Sequence, residues 1–215
     1  MTSRPVIEYY FTFISLWSYM GSHQLQLLAK QTNAQIIYKP IDLAYMFYVS
    51  GGIPVKRRSH QRQAYRLLEI ERWRRIRDLP IVPEPKCHSV DPSLAHRVLL
   101  AAIEEEGYDS GLVHEYVRRA QQTVWVDEAN IADPATIVHV ANEAGLDGGR
   151  LLKRAESEKQ FKEKEDALTK EAVERRYFGA PVYVYRDEPF WGQDRLEMLE
   201  EVIRSGREAI LLPSV

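Results

Sequence analysis

The run Val6 to Ile14 (VIEYYFTFI) carries a single charge, Glu8, and is otherwise built from β-branched, aromatic and aliphatic side chains around Thr12. It does not alternate polar with apolar residues, so it suits a strand covered on both faces, central in a layered α/β sheet. Ser15 ends it. From Trp17 to Ala29 the apolar positions Trp17, Met20, Leu25, Leu28 and Ala29 recur at helical spacing, with Ser15 or Ser18 as the cap. Ala34 to Tyr38 (AQIIY) is a second strand, which makes Val6 to Lys39 a βαβ unit with a right-handed crossover. That is a thioredoxin-like opening.

After Pro40 the pattern becomes a loop through Gly51-Gly52-Ile53-Pro54 and then helices alone, near Ser59 to Asp78, Pro92 to Glu106, Ser110 to Val124, Pro134 to Ala144 and Leu151 to Arg176. Asp91-Pro92 and Asp133-Pro134 each read as an N-cap followed by proline at the first helical position. In the first of these helices Ala64, Leu67, Ile70, Trp73 and Ile76 predict one buried face, and the Lys/Glu-rich stretch Glu158 to Lys164 reads as a solvated face. Strand character returns at Val182 to Tyr185, turns at Arg186-Asp187-Glu188 towards Phe190-Trp191, and gives way to a last helix from Asp194 to Arg204. The expected fold is α/β: a thioredoxin-like core from residues 1–48 and 177–215, split by an all-helical insertion over residues 49–176.

Composition excludes several classes of function. Hydrophobic residues at 45% and charged residues at 28% exclude a disordered chain, and a net charge of −2 gives no general attraction to nucleic acid or anionic membranes. No apolar run approaches the roughly 20 residues of a membrane span. Cys87 is the only cysteine, so an intrachain disulfide and a CxxC zinc set are both excluded. Cys87-His88 makes a poor nucleophile and base, because adjacent side chains diverge in extended chain. The histidines show no metal-binding helical spacing. With no apolar signal core after Met1 and no peroxisomal or ER address at Pro213-Ser214-Val215, a cytoplasmic protein is expected.

Two positions could carry chemistry. Ser15 stands where a buried strand meets a helix N-terminus; it is either a plain cap or part of a site for a thiolate or carboxylate, which the helix dipole favours. Gly179-Ala180-Pro181 enters a strand either as an ordinary trans proline or as a cis bond that turns the Ala180 backbone outward to pair with an extended peptide.

These segments together, FTFISLWSY at the first strand–helix junction, YFGAPVYVY before the last hairpin and FWGQDR after it, resemble the 2-hydroxychromene-2-carboxylate isomerases. Those enzymes are related to the kappa-class glutathione transferases and DsbA-type oxidoreductases, and the likeness spans nearly the whole chain, including AYRLLEIERW from Ala64 to Trp73. The resemblance implies glutathione as cofactor, with the Ser15 hydroxyl hydrogen-bonding its sulfur. It gives the cysteinyl backbone to Ala180 before a cis Pro181, and the γ-glutamyl end to Gln193 and Asp194. Asp194 also reads as a simple N-cap of the last helix. Arg62 falls where relatives carry a basic residue near glutathione, though it reads equally as one charge on a basic amphipathic helix. Lys39, ending the second strand, is a candidate for the substrate's carboxylate. The implied substrate is a small aromatic carboxylate from aromatic-compound breakdown, and a homodimer is expected. Leu16 replaces the proline common after the serine, and Gly51-Gly52-Ile53-Pro54 replaces a loop in which asparagine is common.

Two other readings stand beside the isomerase, and a third is excluded. A kappa-like transferase or peroxidase would consume the same thiolate, and a non-catalytic glutathione-binding protein would only hold it. A DsbA-like oxidoreductase needs two cysteines where this chain has Ser15-Leu16-Trp17-Ser18, and is excluded.

Overall fold

The uncharged run becomes β1 (Val6–Phe11), an inner strand of a four-stranded sheet ordered β2-β1-β3-β4. The computed structural model describes residues 4–87 and 89–214, so His88 of the Cys87-His88 pair lies outside the described residues. β2 (Gln35–Pro40) pairs parallel with β1 from Val6↔Gln35 to Phe11↔Pro40, across the expected helix α1 (Leu16–Thr32). On the other edge of β1 lies β3 (Val182–Tyr185), antiparallel with Tyr10 opposite Val182, and β4 (Glu188–Trp191) closes the sheet as its hairpin partner.

β1 is covered on both faces. Ile7, Tyr9 and Phe11 point into the main core with Tyr183, where the Tyr9 ring stacks on Phe11 at 4.6 Å and on Tyr183 at 5.2 Å. Such aromatic pairs add about 0.5–1.5 kcal/mol each beyond burial. Tyr10 points the opposite way, into a smaller cluster with Val182, Val184, Met46 and Ala172.

Between β2 and β3 come α2 (Leu43–Ser50), α3 (His60–Arg77), α4 (Ser93–Glu106), α5 (Gly111–Trp125), α6 (Pro134–Glu143), α7 (Gly148–Ser157) and α8 (Lys159–Glu174); α9 (Leu196–Ser205) ends the fold. Asp133-Pro134 behaves as expected, with Asp133 accepting from the Thr136 N–H and Pro134 at the head of α6; α4 instead begins at Ser93, so Pro92 takes the cap position and Asp91, accepting from the Ser93 N–H, lies one residue outside it. The main core is continuous from the sheet and α1 through α4, α5, α6 and Phe161 of α8, so the inserted helices share it with the strands.

The structure differs from the sequence pattern in four further places. The loop after Pro40 contains α2, whose start is capped by Asp42 and whose end is set by Gly51 at φ +75°. The helix expected over 151–176 is two helices with a break at extended Glu158, because the buried positions Ala155 and Phe161 lie six apart and cannot share one face of a continuous helix. Within the stretch read as a solvated face, Phe161 is buried. On α3, Ile70 is buried, yet Leu67 and Ile76 of the expected buried face are exposed.

Candidate active site

The turn from β1 into α1 is tied down residue by residue. The Thr12 carbonyl accepts the Ser15 N–H at 3.1 Å, and the Phe13 carbonyl accepts the Trp125 indole N–H at 3.1 Å. Ser15 itself is buried; its Oγ accepts from the Ser18 N–H at 3.2 Å and donates to the Ala180 carbonyl at 3.3 Å. One hydroxyl therefore caps the helix and also reaches across to the strand start 165 residues away. The first turn of α1 contains no acidic residue, so its free N–H groups and dipole offer a positive end beside that hydroxyl.

The Ala180–Pro181 bond is cis. The Pro181 carbonyl accepts the Gly192 N–H at 3.0 Å, which carries Gly192-Gln193-Asp194 to the same end of the sheet. Gly192 has φ +109°, and a Cβ there would stand 2.4 Å from Asp194 Oδ1, so the turn requires glycine. Serine, cis proline and the Gln193-Asp194 pair are thus joined, by the Ser15 hydroxyl to the Ala180 carbonyl and by the Gly192 N–H to the Pro181 carbonyl.

The other expected site residues are placed differently. Gln193 is 2% exposed and packs against Gly21 of α1; its side-chain oxygen accepts from Arg77 Nε at 3.4 Å. Its carboxamide therefore fastens α3 to the sheet end. Asp194 lies in a 3₁₀ turn before α9 and makes no capping bond, which corrects its reading as the cap of the last helix. Its side chain is 38% exposed and paired with Arg195 at 3.1 Å. Arg62 is exposed on α3, about 22 Å along the helix from Arg77, so it stands away from the Gln193 end.

Lys39 is buried. Its Nζ is hydrogen-bonded to Glu8, to Glu171 at 2.8 Å and to the Tyr10 hydroxyl at 3.0 Å. Burial alone would lower the ammonium pKa, but the bonds to Glu171 and Glu8 outweigh it and hold the pKa above the usual lysine value. A cation so engaged is not free at the mouth for a substrate carboxylate. That correction follows from packing: Lys39 lies opposite Tyr10 in register and shares its face of the sheet, under α8.

Beside the turn, at Ile14, opens a cavity of about 710 Å³ between α2, residues 54–56, residues 89–93, α4 and α8. Its walls include Leu43, Phe47, Val55 and Val90, with Lys56 and Lys162 as cations. Lys162 is paired with Asp166, whereas among the described residues Lys56 forms no ion pair. Ser93, His96 and Glu165 also belong to the wall: His96 Nδ1 is 2.8 Å from Glu165, His96 Nε2 is 3.1 Å from Thr12 Oγ1, and Ser93 donates to Glu165 at 2.6 Å. Burial raises the Glu165 carboxyl, but hydrogen bonds from His96 and Ser93 and the Lys162 charge bring it below the usual glutamate value. Sequence reasoning missed His96, Glu165 and Arg77; they come from three helices and form no local motif.

The DsbA-like thioredoxin domain matches residues 6–204. The chain belongs to that family. Within it, the chain is 29% identical to a 2-hydroxychromene-2-carboxylate isomerase of Sphingobium xenophagum, over 92% of this chain and 97% of the relative. It is 24% identical to glutathione S-transferase kappa 1 of Caenorhabditis elegans, over 95% of this chain and 93% of the transferase. Among solved structures, a 2-hydroxychromene-2-carboxylate isomerase superposes with a TM-score of 0.76 at 25% identity, covering 93% of this chain and 95% of that one. The cytosolic disulfide reductase DsbM of Pseudomonas aeruginosa, solved with GSH, shares the fold with a TM-score of 0.65 at 15% identity, covering 94% and 96%. The likeness read from the three sequence motifs holds.

Proposed function

We propose that this DsbA-like protein is a glutathione-dependent isomerase acting on 2-hydroxychromene-2-carboxylate or a related aromatic carboxylate. The observation that carries the reading is the Ser15 hydroxyl, held at a helix N-terminus against the carbonyl before a cis proline. The residues present fit glutathione: the hydroxyl and the free N–H groups of α1 suit a thiolate, and the half-exposed Asp194 suits an ammonium. When bound, glutathione would supply a thiolate that adds reversibly to a conjugated double bond and leaves it free to rotate. Ser15 donates its hydrogen bond to the sulfur and lowers the thiol pKa together with the helix dipole. Ala180 offers its backbone to the cysteinyl residue, and Asp194 pairs with the glutamyl ammonium.

The cavity at Ile14 lies within the usual range for small-molecule sites, and its apolar wall suits an aromatic ring. With Lys39 engaged, Lys56 on that wall is the cation we assign to the substrate carboxylate. The named relatives support this reading through the isomerase reaction and through glutathione use by the kappa transferase. The exposed apolar side chains on α2 and α3 support a homodimer.

The test is turnover of 2-hydroxychromene-2-carboxylate with and without glutathione, with the thiol measured before and after. An isomerase needs glutathione and returns it unchanged. Consumption of the thiol on added electrophiles, with no isomerisation, would instead make the protein a kappa-like transferase, the reading favoured by the transferase relative.

A further inference from the structure

The Thr12–His96–Glu165 line is a buried polar group that the proposed reaction leaves unused. Thr12 and His96 are 0% exposed and Glu165 3%; His96 and Glu165 show only an edge to the cavity wall, and Thr12 does not line it. Burying an imidazole and a carboxylate is costly, and an apolar replacement of similar volume is often neutral or stabilising, so core stability alone does not account for the group. Its position does. Thr12 belongs to the turn that delivers Ser15, whereas His96 is on α4 and Glu165 on α8.

We propose that His96 is a positioning residue for Ser15, acting through Thr12, so that the inserted helices set the serine. The Glu165 carboxylate accepts from His96 Nδ1, which orients the ring so that Nε2 shares a hydrogen bond with the Thr12 hydroxyl. That bond fixes the Thr12 side chain, and the Thr12 carbonyl accepts the Ser15 N–H. Trp125 of α5 holds the Phe13 carbonyl in the same way. The turn is thus held from the insertion on the Thr12 and Phe13 side and from the Ala180 carbonyl on the Ser15 side. Ile14 lines the cavity between these anchors.

The effect on Ser15 can be read in the free protein, and only its effect on a thiol rests on the glutathione reading. Thr12→Val removes the hydroxyl at nearly constant shape, Thr12→Ser restores it, and Glu165→Gln removes the charge that fixes the ring. Amide hydrogen exchange should show the Ser15 N–H exchanging about tenfold faster in Thr12→Val and Glu165→Gln, with Tyr9 and Tyr183 in the strands unchanged and Thr12→Ser close to wild type. In protein saturated with glutathione, the ionisation of the bound thiol should move up by about one pH unit in Thr12→Val. The same substitution should add nothing in a Ser15→Ala background, because residues acting through one group are not additive. Exchange at Ser15 changing only in step with Tyr9 and Tyr183 would overturn the proposal and leave the line a stability feature. A wild type that fails to bind glutathione, yet shows the selective Ser15 exchange, would refute the glutathione reading and support the positioning role.

Discussion

At the scale of single residues, Ser15 shows how two readings of one side chain can both hold. Capping uses a lone pair of its oxygen and bridging uses its proton, so the hydroxyl accepts from Ser18 and donates to Ala180 at once. The bridging proton is the one a bound thiolate would compete for. Ser15→Ala should therefore lower kcat by about ten- to a hundredfold, the equivalent of about 1.5–3 kcal/mol for a hydrogen bond to a charged group, while glutathione affinity by calorimetry changes little. An unchanged thiolate absorbance profile in the variant would remove the role. Asp194 makes the opposite case. Because it caps nothing, Asp194→Ala should melt within about 0.5 kcal/mol of wild type, as substitutions at half-exposed positions usually do. Its glutathione affinity should fall about tenfold or more through the lost ion pair, and Asp194→Asn should show the same loss. Equal affinity in all three proteins would take Asp194 out of the site.

At the scale of elements, what could be read from sequence was whatever one element writes into its own residues. β1 showed its two-sided burial in the run of Val6 to Ile14, and α6 showed its start in Asp133-Pro134. α2 left no such mark, because its residues are nearly all apolar while only Met46 is buried, so no period distinguishes a buried face. The site divided in the same way. Ser15, Ala180 and Pro181 lie at element ends with strong local chemistry, whereas the partners of Lys39 were invisible because they come from β1 and α8. Lys39 of β2, Glu8 of β1 and Glu171 of α8 form a clamp across three elements. Lys39→Met should cost about 2 kcal/mol at neutral pH, below the usual cost of breaking a fully buried pair because Glu171 is partly solvated. The sign with pH follows from Glu171: burial raises its carboxyl, but the bonds from Lys39 and Tyr10 and the charges of Lys39 and Arg175 together more than offset this and the net value is lowered. Its contribution is present above the ordinary glutamate pKa of about 4.3 and is lost as pH falls through the lowered folded value. Lys39 itself is shifted upward, so its contribution is complete at neutral pH and fades only in strong alkali. Melting curves of wild type and Lys39→Met should therefore differ most near neutrality and converge below about pH 4; a constant gap would mean that Lys39 contributes through packing alone.

At the scale of the whole molecule, the insertion and the strands share one core, yet α2 and α3 leave apolar side chains uncovered. Tyr48 of α2 is 85% exposed and Ile76 of α3 is 67% exposed, with Tyr45, Val49, Tyr65, Leu67 and Leu68 also open to solvent on the same two helices. Single exposed apolar residues are ordinary, but several on neighbouring turns of one helix are what an interface leaves behind when a chain is viewed alone. The apolar period of α3 predicts a buried face that includes Leu67 and Ile76, and in the single chain both are exposed. The proposed homodimer would cover these residues of α3. Replacing Leu67 by Glu and Ile76 by Arg together should cost the isolated chain little, since both positions are exposed in it, but should place unpaired charges in the dimer interface. Sedimentation at micromolar concentration should give a dimer for wild type and a monomer with native circular dichroism for the double variant. The wild-type melting temperature should rise with protein concentration and that of the variant should not, because association stabilises by mass action. A wild type that sediments as a monomer at every concentration would leave the uncovered face of α3 unexplained by self-association.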